Sequence, residues 1–124
     1  MVDPRILIID DDKAIVAVMT AALTAGGFRV TVAFDAMQGF MFATKNPPDL
    51  ILLDLSMPAG GGAQTWRRLQ GSARTQGIPV VFVTAEARPG FEREVLSQGA
   101  VGYIAKPFDP TTLADQVQGF LARK

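Results

Sequence analysis

Residues 48–58 read Pro-Asp-Leu-Ile-Leu-Leu-Asp-Leu-Ser-Met-Pro, and no other stretch restricts the fold of this chain as tightly. Leu50, Ile51, Leu52 and Leu53 form an all-apolar run, too short for a lone helix and bracketed by prolines. Such a run suits a strand buried on both faces, as happens when helices cover both sides of a parallel sheet. It ends on Asp54, a carboxylate where the buried strand gives out. Open α/β sheets carry their chemistry at the carboxyl ends of their strands, which makes Asp54 the first candidate for a reacting group.

The same device recurs along the chain. Residues 5–10 hold Ile6, Leu7, Ile8 and Ile9 and end in Asp10, Asp11 and Asp12. Residues 14–28 carry no charge, favour a helix, and meet a stop at Gly26-Gly27. An alternating strand is expected over 28–33, and Asp35 can cap a helix that runs to about Lys45 before Asn46-Pro47-Pro48 breaks it. After the central strand, 58–62 reads as a glycine-rich loop. The helix that follows has Ala63, Trp66 and Leu69 as its expected inward stripe. Residues 78–83 give a fourth strand ending at Thr84. A looser helix from about Pro89 to Gln98 turns Phe91, Val95 and Leu96 inward, and Gly99 ends it. A short fifth strand covers 101–105. Asp109-Pro110 pairs an N-cap with proline at the first helical position. The last helix buries Leu113, Val117, Phe120 and Leu121. Five strand–helix alternations with short connections imply a doubly wound α/β fold: a five-stranded parallel sheet, one domain over 1–124.

Composition narrows the chemistry. Twelve basic and twelve acidic residues cancel, so no global field draws the chain onto nucleic acid. The absence of cysteine and histidine removes thiol chemistry, thiolate metal sites and the usual general base. Residues 1–5 lack signal-peptide character and no apolar run reaches the ~18 residues of a membrane span, so the expected address is cytoplasmic, with no membrane partner.

In a parallel sheet the strand ends share one edge. Asp10, Asp11, Asp54, Thr84 and Lys106 are therefore expected to converge. Three carboxylates at close quarters repel one another and raise each other's pKa unless a cation sits among them. Hard oxygen donors without histidine or thiolate point to Mg²⁺ or a similar ion, which suits phosphate oxygens. Lys106 can neutralise a phosphoryl group, Thr84 can donate a hydrogen bond to it, and Asp54 can accept it as an acyl phosphate.

Four motifs carry a resemblance that spans the whole chain: Ile-Leu-Ile-Ile-Asp-Asp-Asp at 6–12, Asp-Leu-Ile-Leu-Leu-Asp-Leu-Ser-Met-Pro at 49–58, Val-Phe-Val-Thr-Ala at 81–85, and Gly-Tyr-Ile-Ala-Lys-Pro-Phe at 102–108. In this order and spacing they resemble the receiver domains of two-component response regulators, which have a flavodoxin-like (βα)5 fold. The resemblance implies that Asp54 is the phosphoacceptor, with a histidine kinase or histidine phosphotransfer protein as donor. It implies Mg²⁺ on Asp11, Asp54 and the Ser56 backbone carbonyl, with Asp10 reaching the ion directly or through water. Thr84 and Tyr103 would form the switch pair, with Ala85 leaving room for their movement. Lys106-Pro107 would be a cis peptide, and Ser56 and Glu86 would tune the phosphoryl lifetime. The output would pass through the fourth helix, fifth strand and last helix to a downstream target, with phosphorylation-dependent dimerisation among the outcomes. The loop after Pro58 departs from the family in reading Ala-Gly-Gly-Gly, which lacks the usual hydrophobe and polar residue.

Two other functions share these residues. A phosphohydrolase with an aspartyl nucleophile needs a second acid two positions on, where this chain has Ser56, and a cap insertion that is missing. A receiver-fold binding module would lack phosphorylation, which the full set of reactive side chains argues against. Some features have plainer readings: Asp12 as a helix cap, Trp66 as core packing. The uncharged helix at 14–25 is either well shielded or, with Val16, Ala17 and Thr20 facing outward, a docking face for the phosphoryl donor.

Overall fold

The structure, a computed structural model, describes residues 3–85 and 88–123. Among them, strands and helices alternate: β1 (Arg5–Ile9), α1 (Lys13–Ala25), β2 (Arg29–Ala33), α2 (Ala36–Lys45), β3 (Leu50–Asp54), α3 (Gly61–Gln70), β4 (Val80–Thr84), α4 (Phe91–Ser97), β5 (Gly102–Ala105) and α5 (Pro110–Ala122). A single 3-10 turn, Pro58–Gly60, leads into α3. The strands pair in parallel in the order β2-β1-β3-β4-β5. This is the doubly wound α/β sheet that the alternation predicts.

Period-two alternation divides the strands between two cores. Ile6, Ile8, Leu50, Leu52, Val81 and Val83 pack on one face against Met19, Leu23, Leu113 and Val117 of α1 and α5. Leu7, Ile9, Ile51, Leu53, Val80 and Phe82 pack on the other against Ala43, Leu69, Phe91 and Val95 of α2, α3 and α4. Central β3 is buried along its entire length, which explains why its sequence shows no alternation. Each buried leucine or isoleucine there stabilises the fold by about 1.5–3 kcal/mol relative to exposure.

Helix starts follow local capping chemistry. Asp12 Oδ1 accepts from the N–H groups of Ala14 and Ile15, Asp35 Oδ1 from Gln38 N–H, and Asp109 Oδ1 from Thr111 N–H. The Thr111 hydroxyl and N–H hold the Asp109 carboxyl below its ordinary range. Trp66 is half-buried and meets Phe82 edge-on at 5.1 Å, a packing role as expected.

Helix facing departs from expectation in three places. Val16 lies in the core, 5 % exposed, while Val18 takes the outward position; Ala17 is exposed and Thr20 half-buried. Ala63 is exposed, and Gly62, Thr65 and Leu69 face inward instead. Leu96 is 47 % exposed, because α4 has only seven residues and its short contact with the sheet is filled by Phe91 and Val95. The expected loop at 58–62 is also shorter, since Gly61 and Gly62 belong to the first turn of α3.

Gly62 explains why that helix can start so close to the sheet. A Cβ at this position would stand 2.4 Å from the Asp54 carbonyl oxygen and 2.6 Å from Leu55 Cα, both backbone atoms with no rotamer to yield. Gly62→Ala should therefore destabilise the protein by about 1–3 kcal/mol in urea unfolding, the usual cost of overpacking. Wild-type stability in that variant would show that α3 is not held against the end of β3.

Candidate functional site

β1, β3 and β4 end at one edge of the sheet, and their terminal residues meet there. Asp10 and Asp54 are 1 % and 3 % exposed, whereas Asp11 reaches solvent. One carboxylate oxygen from each of the three lies within 4.8 Å of the others. Asp10 Oδ1 accepts from Asp12 N–H at 2.9 Å, and Asp54 Oδ1 accepts from Ser56 N–H at 2.8 Å. These backbone bonds fix one oxygen of each buried acid.

Lys106 comes from just beyond β5. Its Nζ lies 3.2 Å from Asp10 Oδ2 and 3.3 Å from Asp54 Oδ1, so one ammonium bridges two buried carboxylates. The Lys106 N–H donates to the Thr84 carbonyl at 2.7 Å, tying the end of β5 to the end of β4, and the Lys106–Pro107 peptide is cis. Burial pushes the Asp10 carboxyl above its ordinary range and the Asp54 charge adds to this, while Asp12 N–H and Lys106 pull back without overcoming it. Burial works against the Lys106 ammonium, yet attraction to Asp10 and Asp54 together keeps it above the usual lysine range.

Thr84 is buried at the end of β4. Tyr103 of β5 stands opposite Phe82, two residues before Thr84, which puts both on the α4 face of the sheet. The half-buried Tyr103 ring meets Phe91 edge-on at 5.0 Å. Ala85 and Ser56 are exposed, and Glu86 lies outside the described residues.

Sequence reasoning did not find two supporting features. Gly62 brings α3 onto the backbone of Asp54, which only the Gly60-Gly61-Gly62 run hinted at. Ala14, Ile15, Val18, Pro107, Phe108 and Pro110 line an apolar cleft of about 250 Å³ that Lys106 also borders. Its residues are far apart in sequence, and nothing local marks them.

The donor set fits a hard divalent cation: three carboxylates, two of them buried, with no nitrogen or sulfur ligand beside them. No helix among the described residues is long and apolar enough to cross a membrane.

Comparison with known proteins agrees with this arrangement. The profile of the family described as "Response regulator receiver domain" matches residues 6–118. The DNA-binding dual master transcriptional regulator RpaA of Synechocystis is 38 % identical over 97 % of this chain, which spans only 50 % of that relative. Protein PilH of Pseudomonas aeruginosa is 36 % identical over 95 % of this chain and 98 % of its own length. The chemotaxis response regulator CheY4 of Vibrio cholerae superposes with a TM-score of 0.85 at 27 % identity, covering 95 % of this chain and 98 % of that one.

Removing the bridging ammonium leaves two buried carboxylates facing each other. Lys106→Met should cost about 2 kcal/mol or more in cation-free buffer, towards the low end for a broken buried pair because Lys106 still touches water. Added divalent cation should narrow the gap to wild type in urea unfolding. An equal loss with and without the cation would show that Lys106 and the cation are not coupled through the same acids.

Proposed function

The chain belongs to the response regulator receiver domain family, and on that premise we propose that residues 1–124 act as a phosphorylation-controlled switch with Asp54 as the phosphoacceptor. A receiver domain is not a conventional enzyme; its chemistry is confined to its own modification. The observation that carries the reading is the Lys106 ammonium seated 3.2 Å and 3.3 Å from Asp10 and Asp54, within a triad of acids fit for one divalent ion.

Membership implies a histidine kinase partner, and the donor is a phosphohistidine on that kinase or on a phosphotransfer protein. An Asp54 carboxylate oxygen attacks phosphorus, the phosphorus–nitrogen bond breaks, and the imidazole leaves with its electron pair. Asp11, Asp54 and the Ser56 carbonyl, with Asp10 directly or through water, would hold Mg²⁺, which when bound supplies positive charge against the phosphoryl oxygens. Lys106 adds a second, fixed counter-charge, and the Thr84 hydroxyl donates to a remaining oxygen. Burial of Asp54 slows attack of water on the acyl phosphate, and Ser56 and Glu86 adjust that access. Once Thr84 turns to the phosphoryl group, Tyr103 moves into the space, Ala85 leaves room, and the face of α4, β5 and α5 shifts population toward a form that a downstream target or a second copy reads.

The apolar cleft between Ala14, Ile15, Val18 and Phe108 borders Lys106 and suits the donor's docking helix. Val18, 42 % exposed, replaces Val16 as the position to test. Val18→Glu should slow transfer from a phosphohistidine donor at least tenfold. Its stability and its reaction with acetyl phosphate should stay as in wild type. Unchanged transfer would remove this docking face.

Intact-mass measurement after incubation with acetyl phosphate and Mg²⁺ tests the chemistry. One added phosphoryl group is expected, absent in Asp54→Asn. Steady turnover of small phosphate esters would instead favour a phosphohydrolase, and an unchanged mass a binding module without phosphorylation.

A further inference from the structure

Helix α2 presents an apolar line to solvent where a surface helix normally carries its charges. Phe34, just before the helix, and Met37 and Met41 within it are all exposed, Met37 to 73 %. Met37 and Met41 stand one turn apart on one face, and Lys45, the single charged residue of α2, continues the line. Phe34, outside the helix, lines the same groove as Met37.

Two grooves border this line. Toward its start, Phe34, Met37, Met57, Gln64 and Arg68, together with Asp11 and Asp35, line an open groove of about 620 Å³. Toward its end, Phe40, Met41, Thr44 and Lys45 line a second groove of about 380 Å³. The first sets Arg68 against two carboxylates, whereas the second has apolar walls and Lys45 as its charge. The Arg68 guanidinium lies 4.5 Å over the Phe40 ring, and Arg74 Nε donates to the Thr44 carbonyl at 3.1 Å, so a third cation stands close by. Asp35 caps Gln38 N–H and Asp11 belongs to the acid triad, so the first groove is the acidic end of this face, and the three cations gather at the second.

We propose that this face docks an amphipathic helix of a protein partner whose apolar anchors are flanked by acidic side chains. Met37 and Met41 lie one turn apart, about 6 Å along the axis, so two anchors a turn apart on the partner reach the two grooves. Methionine adapts to such anchors, and insertion of an apolar helical edge into a groove is a common mode of recognition. Lys45, Arg68 over Phe40, and Arg74 beside Thr44 set the sign of the flanking charge at the second groove. A second copy of this chain would bring the same three cations to the contact, and a flat lipid surface would leave the grooves unfilled.

The test uses a synthetic helical peptide of about 18 residues, long enough to hold helix. It has leucines one turn apart with glutamate beside them; a sister peptide has lysine in place of glutamate. Each is titrated into the ¹⁵N-labelled chain by NMR. The glutamate peptide should bind saturably, with shift changes confined to α2, α3 and residues 57–61, and at least tenfold more tightly than its sister. Met37→Glu with Met41→Glu should weaken it at least tenfold, and Arg68→Glu should weaken it measurably, both in folded protein. Equal affinity for the two peptides, shifts elsewhere, or no binding would overturn the proposal. So would self-association in sedimentation, or co-sedimentation with phosphatidylglycerol vesicles, that is abolished by the methionine substitutions.

Discussion

Like charge held at close range is what the rest of this molecule accommodates. Asp10, Asp11 and Asp54 bring three negative charges to one point, and Lys106 returns one positive charge. Two unit charges 4 Å apart interact by about 4 kcal/mol at the effective dielectric of a protein's outer shell. One ammonium between two buried carboxylates therefore offsets their mutual repulsion but leaves the triad with a net charge near minus two. A divalent ion matches that remainder, and a transferring phosphoryl group needs the same positive surroundings. The charge balance that makes the site tolerable is also the one that suits it to phosphate.

The sheet supplies the convergence. Parallel strands deliver their carboxyl ends to a single edge, so Asp10, Asp54 and Thr84, distant in sequence, become neighbours without any loop to arrange them. The two cores hold that edge still. Gly62 lets α3 approach the backbone of Asp54, and Lys106 N–H locks the end of β5 to that of β4.

Much of this was legible beforehand because it is local. Strand runs ending in acid, and caps at Asp12, Asp35 and Asp109, are set by near neighbours in the chain, and the structure reproduces them. Helix facing was less legible, because it depends on where a helix axis sits over the sheet, and a step of one residue turns a side chain by about 100°. Beyond Lys13, α1 has no charge to mark its outer face, so Val16 and Val18 look alike until packing separates them. Ala63 was mistaken for Gly62 because sequence patterns reward apolar size, whereas close backbone approach rewards its absence. In α2 the small residues Gly39 and Ala43 are the ones buried, which size alone would not single out.

The acid edge thus lies between two apolar features, the cleft beside Lys106 on the α1 side and the groove beside Asp11 on the α2 side. The proposed chemistry depends on the three acids acting as one ion site. Calorimetric titration with Mg²⁺ measures that directly: one ion per chain is expected, with binding lost in Asp54→Asn and in Asp11→Ala. Absence of saturable binding, or an isotherm that neither substitution changes, would contradict the account.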